Sequence, residues 1–207
     1  MTNTRPDFTP QPITLSSDKI TLRPLTLDDS TGFYNAGNFP QLWQWVIPNR
    51  CESLAAATQW IKMSLEEQAR NQHVPFVIVD NASNKIIGST RYCTIVPDNR
   101  HLEIGYTFIT PEFQRTHVNT QAKYLLLKHA FEKLGAVRVS IRTNENNQQS
   151  RNAIARIGGK FEGILRNHRI LSDGTLRNTA MFSIIEQEWP EVKTALENKL
   201  NRVTATI

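Results

Sequence analysis

The chain has 207 residues, 39% of them hydrophobic and 21% charged, proportions that suit one domain with its own core and exclude a disordered or collagen-like polymer. The formal net charge is +5, but the 24 lysines and arginines are dispersed, with no run of five and no nucleic-acid-binding signature. Charge alone therefore points to no partner, and nucleic acid is not expected. Cys51 and Cys93 are too few for a disulfide framework and lack metal-ligand spacing, so both read as idle thiols of a reducing compartment. The first 18 residues are polar and broken by Pro6, Pro10 and Pro12, without an apolar targeting core, and no apolar run reaches the length of a bilayer span. A cytoplasmic location is the expectation.

Residues 1–18 read as an irregular lead-in, 19–187 as the folded domain, and 188–207 as a closing helix and tail, loose from residue 201. Lys19–Leu25 alternates like a strand, and Pro24 places it at an edge or at its own end. Leu27–Ser30 offers capping residues for a short helix to about Ala36. From Glu52 to Arg70 the spacing is helical, with Leu54, Ala57, Ile61 and Leu65 on one face. Val74–Asp80, Lys85–Ile95 and His101–Ile109 form a three-strand meander, which Pro111 stops. Asn119–Leu134 is a helix with Ala122, Leu126, Ala130 and Leu134 stacked, and Gly135 follows it. Then come a strand at 137–141, a short helix at 147–157 ended by Gly158-Gly159, and strands near 161–171 and 176–185 about the turn Ser172–Thr175. Trp189-Pro190 opens the last helix, with Trp189, Val192, Leu196 and Leu200 on one side.

Chemistry concentrates where the third meander strand leads through the polar loop Gln114–Val118 into the helix near Asn119. A helix start presents unpaired amides and partial positive charge, a ready site for phosphate. Arg115 and His117 could add donors; an ordinary capped loop explains the same residues.

The order of elements, together with Ile20–Leu25, Ile87-Gly-Ser89, Leu102-Glu-Ile-Gly-Tyr106, Pro111–Thr116, Asn147-Gln-Gln-Ser150 and Gly158-Gly159, resembles the GNAT superfamily of N-acetyltransferases over residues 19–187. The branch it looks most like is the RimJ/RimL-like, ribosomal-protein N-terminal type. The resemblance implies an α+β fold with a central mixed, mostly antiparallel sheet of about seven strands, splayed between the fourth and fifth. It also implies acetyl-CoA as cofactor, held by Phe108, Ile109, Thr110, Gln114, Arg115, Thr116, His117, Val118, Asn119, Thr120, Asn147 and Ser150. Pantetheine is expected to bond the backbone around Phe108 and Thr110. The family loop usually carries small residues where this chain has His117 and Asn119, a departure that weakens or re-angles cofactor binding in this reading.

Within the same resemblance, Glu103 is the expected general base and Ser150 the group that protonates the leaving thiolate. Tyr106 or Tyr124 could replace Ser150, since the tyrosine that many relatives carry on that helix is Ala153, Ile154 or Ala155 here. Without a catalytic role, Glu103 faces solvent or pairs with Arg91, and Ser150 caps its helix. Cys93 is not expected to act as a nucleophile. The acceptor side would be formed by Trp43, Trp45, Tyr106, Arg166 and His168, with Arg169 and Arg177 on the same hairpin; both tryptophans could equally anchor the core, and the hairpin could be a solvated face. The acceptor amine could be a protein N-terminus, a polyamine, an amino acid or an aminoglycoside. A non-catalytic acyl-CoA sensor is the alternative from another class, and a monomer or homodimer is expected.

Overall fold

In the computed structural model, which describes residues 7–46 and 48–204, the alternating segments assemble into one eight-stranded sheet. Its strands are β1 (Leu15–Ser16), β2 (Ile20–Pro24), β3 (Val74–Asp80), β4 (Lys85–Val96), β5 (His101–Ile109), β6 (Arg138–Asn144), β7 (Lys160–Ile170) and β8 (Leu176–Ile185). The helices are α1 (Ser30–Gly37), α2 (Leu54–Ala69), α3 (Val118–Lys128), α4 (Gln148–Arg156) and α5 (Trp189–Thr204). The strand order is β1-β2-β3-β4-β5-β6-β8-β7, and every pair is antiparallel except β5 with β6. The sheet has one strand more than expected. That strand comes from the lead-in, where Leu15 and Ser16 pair with Leu22 and Thr21 and Phe8 is buried beneath Arg100. The first six residues of the lead-in and the last three of the tail lie outside the described residues. Among the described residues no helix is long and apolar enough to cross a membrane.

Local chemistry explains the joints. Arg23 closes the turn from β2 to α1 by donating to both carboxylate oxygens of Asp29, at 2.6 and 2.9 Å, while Asp29 also accepts the Thr26 amide at 2.8 Å. Ser53 caps α2 by accepting from the Ala56 amide at 3.0 Å. The buried side of α2 is Ala57, Ile61 and Ser64; Leu54, expected on that face, is 44% exposed because it occupies the first, outward-turned helical position. In α3 the predicted stack of Ala122, Leu126 and Ala130 is fully buried, although the helix widens into a π-turn over His129–Lys133. Gly158 has φ of +98°, and a Cβ there would meet Val192 at 2.8 Å, which accounts for glycine at the end of α4.

The sheet separates two cores. On one face Leu102, Ile104, Tyr92 and Phe76 pack against α3 and α5; on the other Phe33, Ala57, Ile61 and Phe108 pack with α1 and α2. A Leu126→Ala substitution in the first core should cost about 2–5 kcal/mol, the usual price of an unfilled aliphatic cavity.

One core residue of α3 is an amine. Lys123 is buried, with Nζ 2.5 Å from Thr107 Oγ1 and 3.4 Å from Thr90 Oγ1. Burial holds its pKa down to about 7. The unfolded chain keeps that proton up to the ordinary lysine range, so unfolding takes up a proton between about pH 7 and 10, and stability rises with pH across that window. Lys123→Met should raise the melting temperature at neutral pH and flatten this rise. Thermal melts of both proteins across the window check it; parallel slopes would contradict a buried, discharged lysine.

Candidate active site

β5 and β6 pair over three residues only, His101 with Arg138, Leu102 with Val139 and Glu103 with Ser140. Beyond Glu103 the two strands part, β5 continuing to Ile109 and β6 to Asn144. This fork stands where the splay was expected; counting β1, it falls between the fifth and sixth strands.

Two bulges determine what faces the fork. In β5 the register shifts between the pairs Ser89–Phe108 and Arg91–Gly105, and Tyr106 takes φ of +51°. Gly105 and Tyr106 therefore present in succession toward α2, while Thr107 turns to Lys123 on the α3 side. In β4 a second shift at Thr94, φ +48°, turns its hydroxyl to the same face as Glu103. Glu103 is 6% exposed. It does not pair with Arg91, as one reading had it; it forms an ion pair with Arg142 of β6 and accepts from Thr94 Oγ1 at 3.2 Å. Arg142 also donates to Thr94 Oγ1 at 3.0 Å. Burial lowers the Arg142 pKa, but the hydrogen bond and charge of Glu103 outweigh it and hold the guanidinium above its ordinary range.

At the mouth of the fork, the first intrahelical bond of α3 runs from the Gln121 amide to the His117 carbonyl, so the amides of Asn119 and Thr120 lie ahead of it. Thr116 Oγ1 accepts the Val118 amide at 3.3 Å. The strained residue of the loop is Arg115, with φ of +61°, whereas His117 has φ of −66°. Histidine at 117 therefore needs no unusual backbone angle. Its Nε2 is buried without a partner among the described residues. Burial and then Lys19 lower its pKa against the opposing pull of Asp18 and Asp80, which sets the ring toward the β2–β3 end.

Of the three neighbouring residues expected to hold the cofactor, Phe108, Ile109 and Thr110, one turns its backbone to the open edge. The Thr110 amide donates to Ile87 O at 2.9 Å, so the strand's alternation turns the backbone of Phe108 and Thr110 toward β4 and that of Ile109 toward the open edge. Gly88 belongs to the same closure: a Cβ there would stand 2.4 Å from Phe108 O. Gln114 is engaged within the protein, with its amide on Pro111 O, its Nε2 on Ile109 O at 3.0 Å, and its Oε1 accepting from Gln149 Nε2 at 3.3 Å. It thereby bridges the two banks of the fork. On the far bank Asn147 Oδ1 caps α4 by accepting the Ser150 amide at 2.9 Å, a bond that does not engage its Nδ2; Ser150 is half-buried.

Several candidates lie elsewhere. Tyr124 is turned to α5, donating to Glu197 at 2.7 Å, and burial followed by that carboxylate raises its pKa far above the ordinary range. Trp43 is core: its Nε1 donates to Gly37 O at 2.8 Å and its ring packs on Phe108. Trp45 is half-buried. Cys51 and Cys93 are buried, unpaired, and pushed up to about 12 by burial, which makes both poor nucleophiles. On the hairpin, Arg166 is exposed and His168 accepts or donates at Thr179 Oγ1, 3.1 Å away, and both line an open concavity with Asn167 and Asn178. Tyr106 is 43% exposed, its ring 5.7 Å from Trp60 and 4.5 Å from the Arg91 guanidinium. Arg142 and Arg91 were not anticipated as site residues. The available signal was an arginine in each strand on the side opposite its core residues, Arg91 beside Tyr92 and Arg142 beside Ile141.

The sequence profile of the Acetyltransferase (GNAT) domain matches residues 19–160, more than half of the chain. YdaF of Bacillus subtilis, provisionally named a ribosomal N-acetyltransferase, is 35% identical over 91 residues, covering 44% of this chain and 49% of YdaF. The crystal structure of a GCN5-related N-acetyltransferase from Brucella melitensis superposes with a TM-score of 0.89 at 27% identity, covering 97% of this chain and 90% of that one. Mycobacterium smegmatis RimJ in complex with CoA-disulfide shares the fold, with a TM-score of 0.76 at 18% identity over 95% and 97% of the two chains. With the fork, the uncapped amides of α3 and these likenesses together, the chain belongs to the GNAT acetyltransferase family.

Proposed function

We propose that this chain transfers an acetyl group from acetyl-CoA to a primary amine by direct attack, with no covalent enzyme intermediate, and that the amine is a protein N-terminus. The observation that carries the reading is a buried carboxylate, Glu103, at the apex of a fork whose mouth holds the free amides of Asn119 and Thr120. The residues present fit the cofactor: a helix start for a diphosphate, the Ile109 edge and Asn147 Nδ2 for an amide-bearing arm. The CoA in the RimJ structure and the ribosomal name of YdaF support cofactor and acceptor class respectively.

Acetyl-CoA, when bound, supplies an acyl carbonyl activated as a thioester. Glu103, fixed by Arg142 and Thr94, accepts the proton of the incoming amine directly or through a water. Ser150, at the far bank, hands a proton to the departing thiolate directly or through a water and regains one from solvent, so that the hydroxyl is unchanged over the cycle.

Glu103→Gln keeps the shape and hydrogen-bonding reach but removes the base. It should lower kcat roughly a hundredfold or more, the scale of general-base catalysis, with the KM for acetyl-CoA nearly unchanged. Steady-state thiol release with saturating amine checks this, and full turnover would remove Glu103 from the mechanism.

The loop yields a second prediction. Asn119→Pro deletes one amide in the first helical turn, where proline is tolerated, and should weaken acetyl-CoA binding about tenfold, the worth of one charge-assisted hydrogen bond. His117→Gly, altering a residue whose backbone is already helical, should shift affinity by less than about twofold. Calorimetric titration measures both; an undisturbed Asn119→Pro affinity would contradict amide binding of the diphosphate.

A further inference from the structure

The bulged Tyr106 lies among four arginines. Arg91 of β4 is 1% exposed and clamped between two rings, Tyr106 at 4.5 Å and Trp60 at 4.8 Å, with Ser64 Oγ at 2.9 Å and His73 Nδ1 at 3.2 Å. Arg50 lies over the Trp60 ring at 4.5 Å. Arg142 and Arg177 approach from β6 and β8, and Tyr106 is within electrostatic reach of all four. Glu103 forms an ion pair with one of them, Arg142, and its charge also reaches Arg177.

The other three are incompletely partnered. The Nε atoms of Arg50, Arg91 and Arg177 are buried without a hydrogen-bond partner among the described residues. Burial lowers the pKa of Arg177, Arg169 and Arg142 lower it further, and Glu103 and Tyr106 offset only part of this. Arginines serving only as scaffold look different in this same chain: Arg23 and Arg138 each meet a carboxylate, Asp29 and Glu162. Buried donors without acceptors and crowded like charges are both unfavourable, and an anion arriving over Tyr106 relieves both at once.

We propose that the acceptor carries a carboxylate close to the amine it offers, as in a peptide N-terminus followed directly by acidic residues, and that Arg50 and Arg177 receive that carboxylate over Tyr106. The inference rests on the reading of the fork as an acetyl-transfer site and narrows its acceptor. Polyamines and aminoglycosides, being polycations, are repelled by the same array.

The test compares peptides of equal length whose second and third residues are acidic, neutral or lysine, alongside free glutamate and spermine, by thiol release with acetyl-CoA. The acidic peptide should exceed the neutral one in kcat/KM by about tenfold, with the advantage shrinking as salt rises. Arg177→Gln and Arg50→Gln should each cut the acidic-to-neutral ratio about fivefold, and Arg177→Lys should retain part of it; melting curves establish that the variants fold. Free glutamate outperforming every peptide supports the carboxylate and assigns it to a small amino acid. Equal rates for the three peptides, or preference for the lysine peptide or spermine, overturn the proposal. If no amine is acetylated, the acetyl-transfer reading itself fails, and calorimetric binding of the same peptides then decides: equal affinity for acidic and neutral peptides overturns the inference, and an acidic preference sustains it.

Discussion

The site depends on how β5 and β6 come apart. A parallel pair that stops after three residues leaves backbone groups on both inner edges without ladder partners, and such groups must be satisfied. Side chains take over at the apex. Glu103, Arg142 and Thr94 tie β5, β6 and β4 together where the backbone ladder ends. A buried ion pair of this kind is a weak source of net stability, but removing one partner strands the other charge, at about 3–5 kcal/mol. The fork is thus held at a fixed point. At its mouth Gln114 satisfies the Ile109 carbonyl from one side and meets Gln149 on the other.

The bulges convert this opening into a site with two distinct faces. Without the extra residue at Tyr106, strict alternation would send Tyr106 and Phe108 toward α3 and leave Thr107 facing α2. With it, Phe108 closes the α1–α2 core against Phe33 and Trp43, and Tyr106 reaches Trp60. Gly105 belongs to the same arrangement, because a Cβ there would stand 3.1 Å from Glu103 Oε1. The small residue gives the carboxylate its room, and the Glu-Ile-Gly-Tyr order along β5 follows from packing as well as from chemistry.

Most elements were legible from periodicity alone. The stack Ala122, Leu126, Ala130 encodes one buried face, the unbroken apolar run Val74–Val79 encodes a strand buried on both, and the helix and strand bounds follow. Glu103 stood out because Leu102 and Ile104 on either side marked its strand and its opposite face. What stayed hidden were contacts that depend on register slips. No local pattern announces that Thr94 and Tyr106 take positive φ, since both are residues for which such angles are uncommon. Hence the turn of Tyr106 toward α2 and of the Thr94 hydroxyl toward Glu103 needed three dimensions, while Arg142 needed the pairing of β6 with β5, which sets it two residues beyond the partner of Glu103. The tryptophans were ambiguous for another reason: an indole suits a ligand mouth and a core equally, and the Trp43 bond to Gly37 O settles it for the core.

The two faces also treat buried cations differently. Lys123, on the α3 side, meets only hydroxyls, and an amine can shed its proton when burial disfavours the charge, which its pKa of about 7 reflects. Arginine has no such escape. Even with its pKa lowered by burial to about 10, Arg91 keeps its charge at neutral pH, and stacking on Trp60 and Tyr106 stabilises the ion without discharging it. The positive field on the α2 face is therefore permanent, while the α3 face can become neutral. A net charge of +5 spread evenly along the sequence thus becomes, after folding, a local field beside Tyr106. Dispersed arginines on β4, β6, β8 and the segment before α2 converge there because the sheet's strand order brings them together, a convergence that no run of basic residues could have announced.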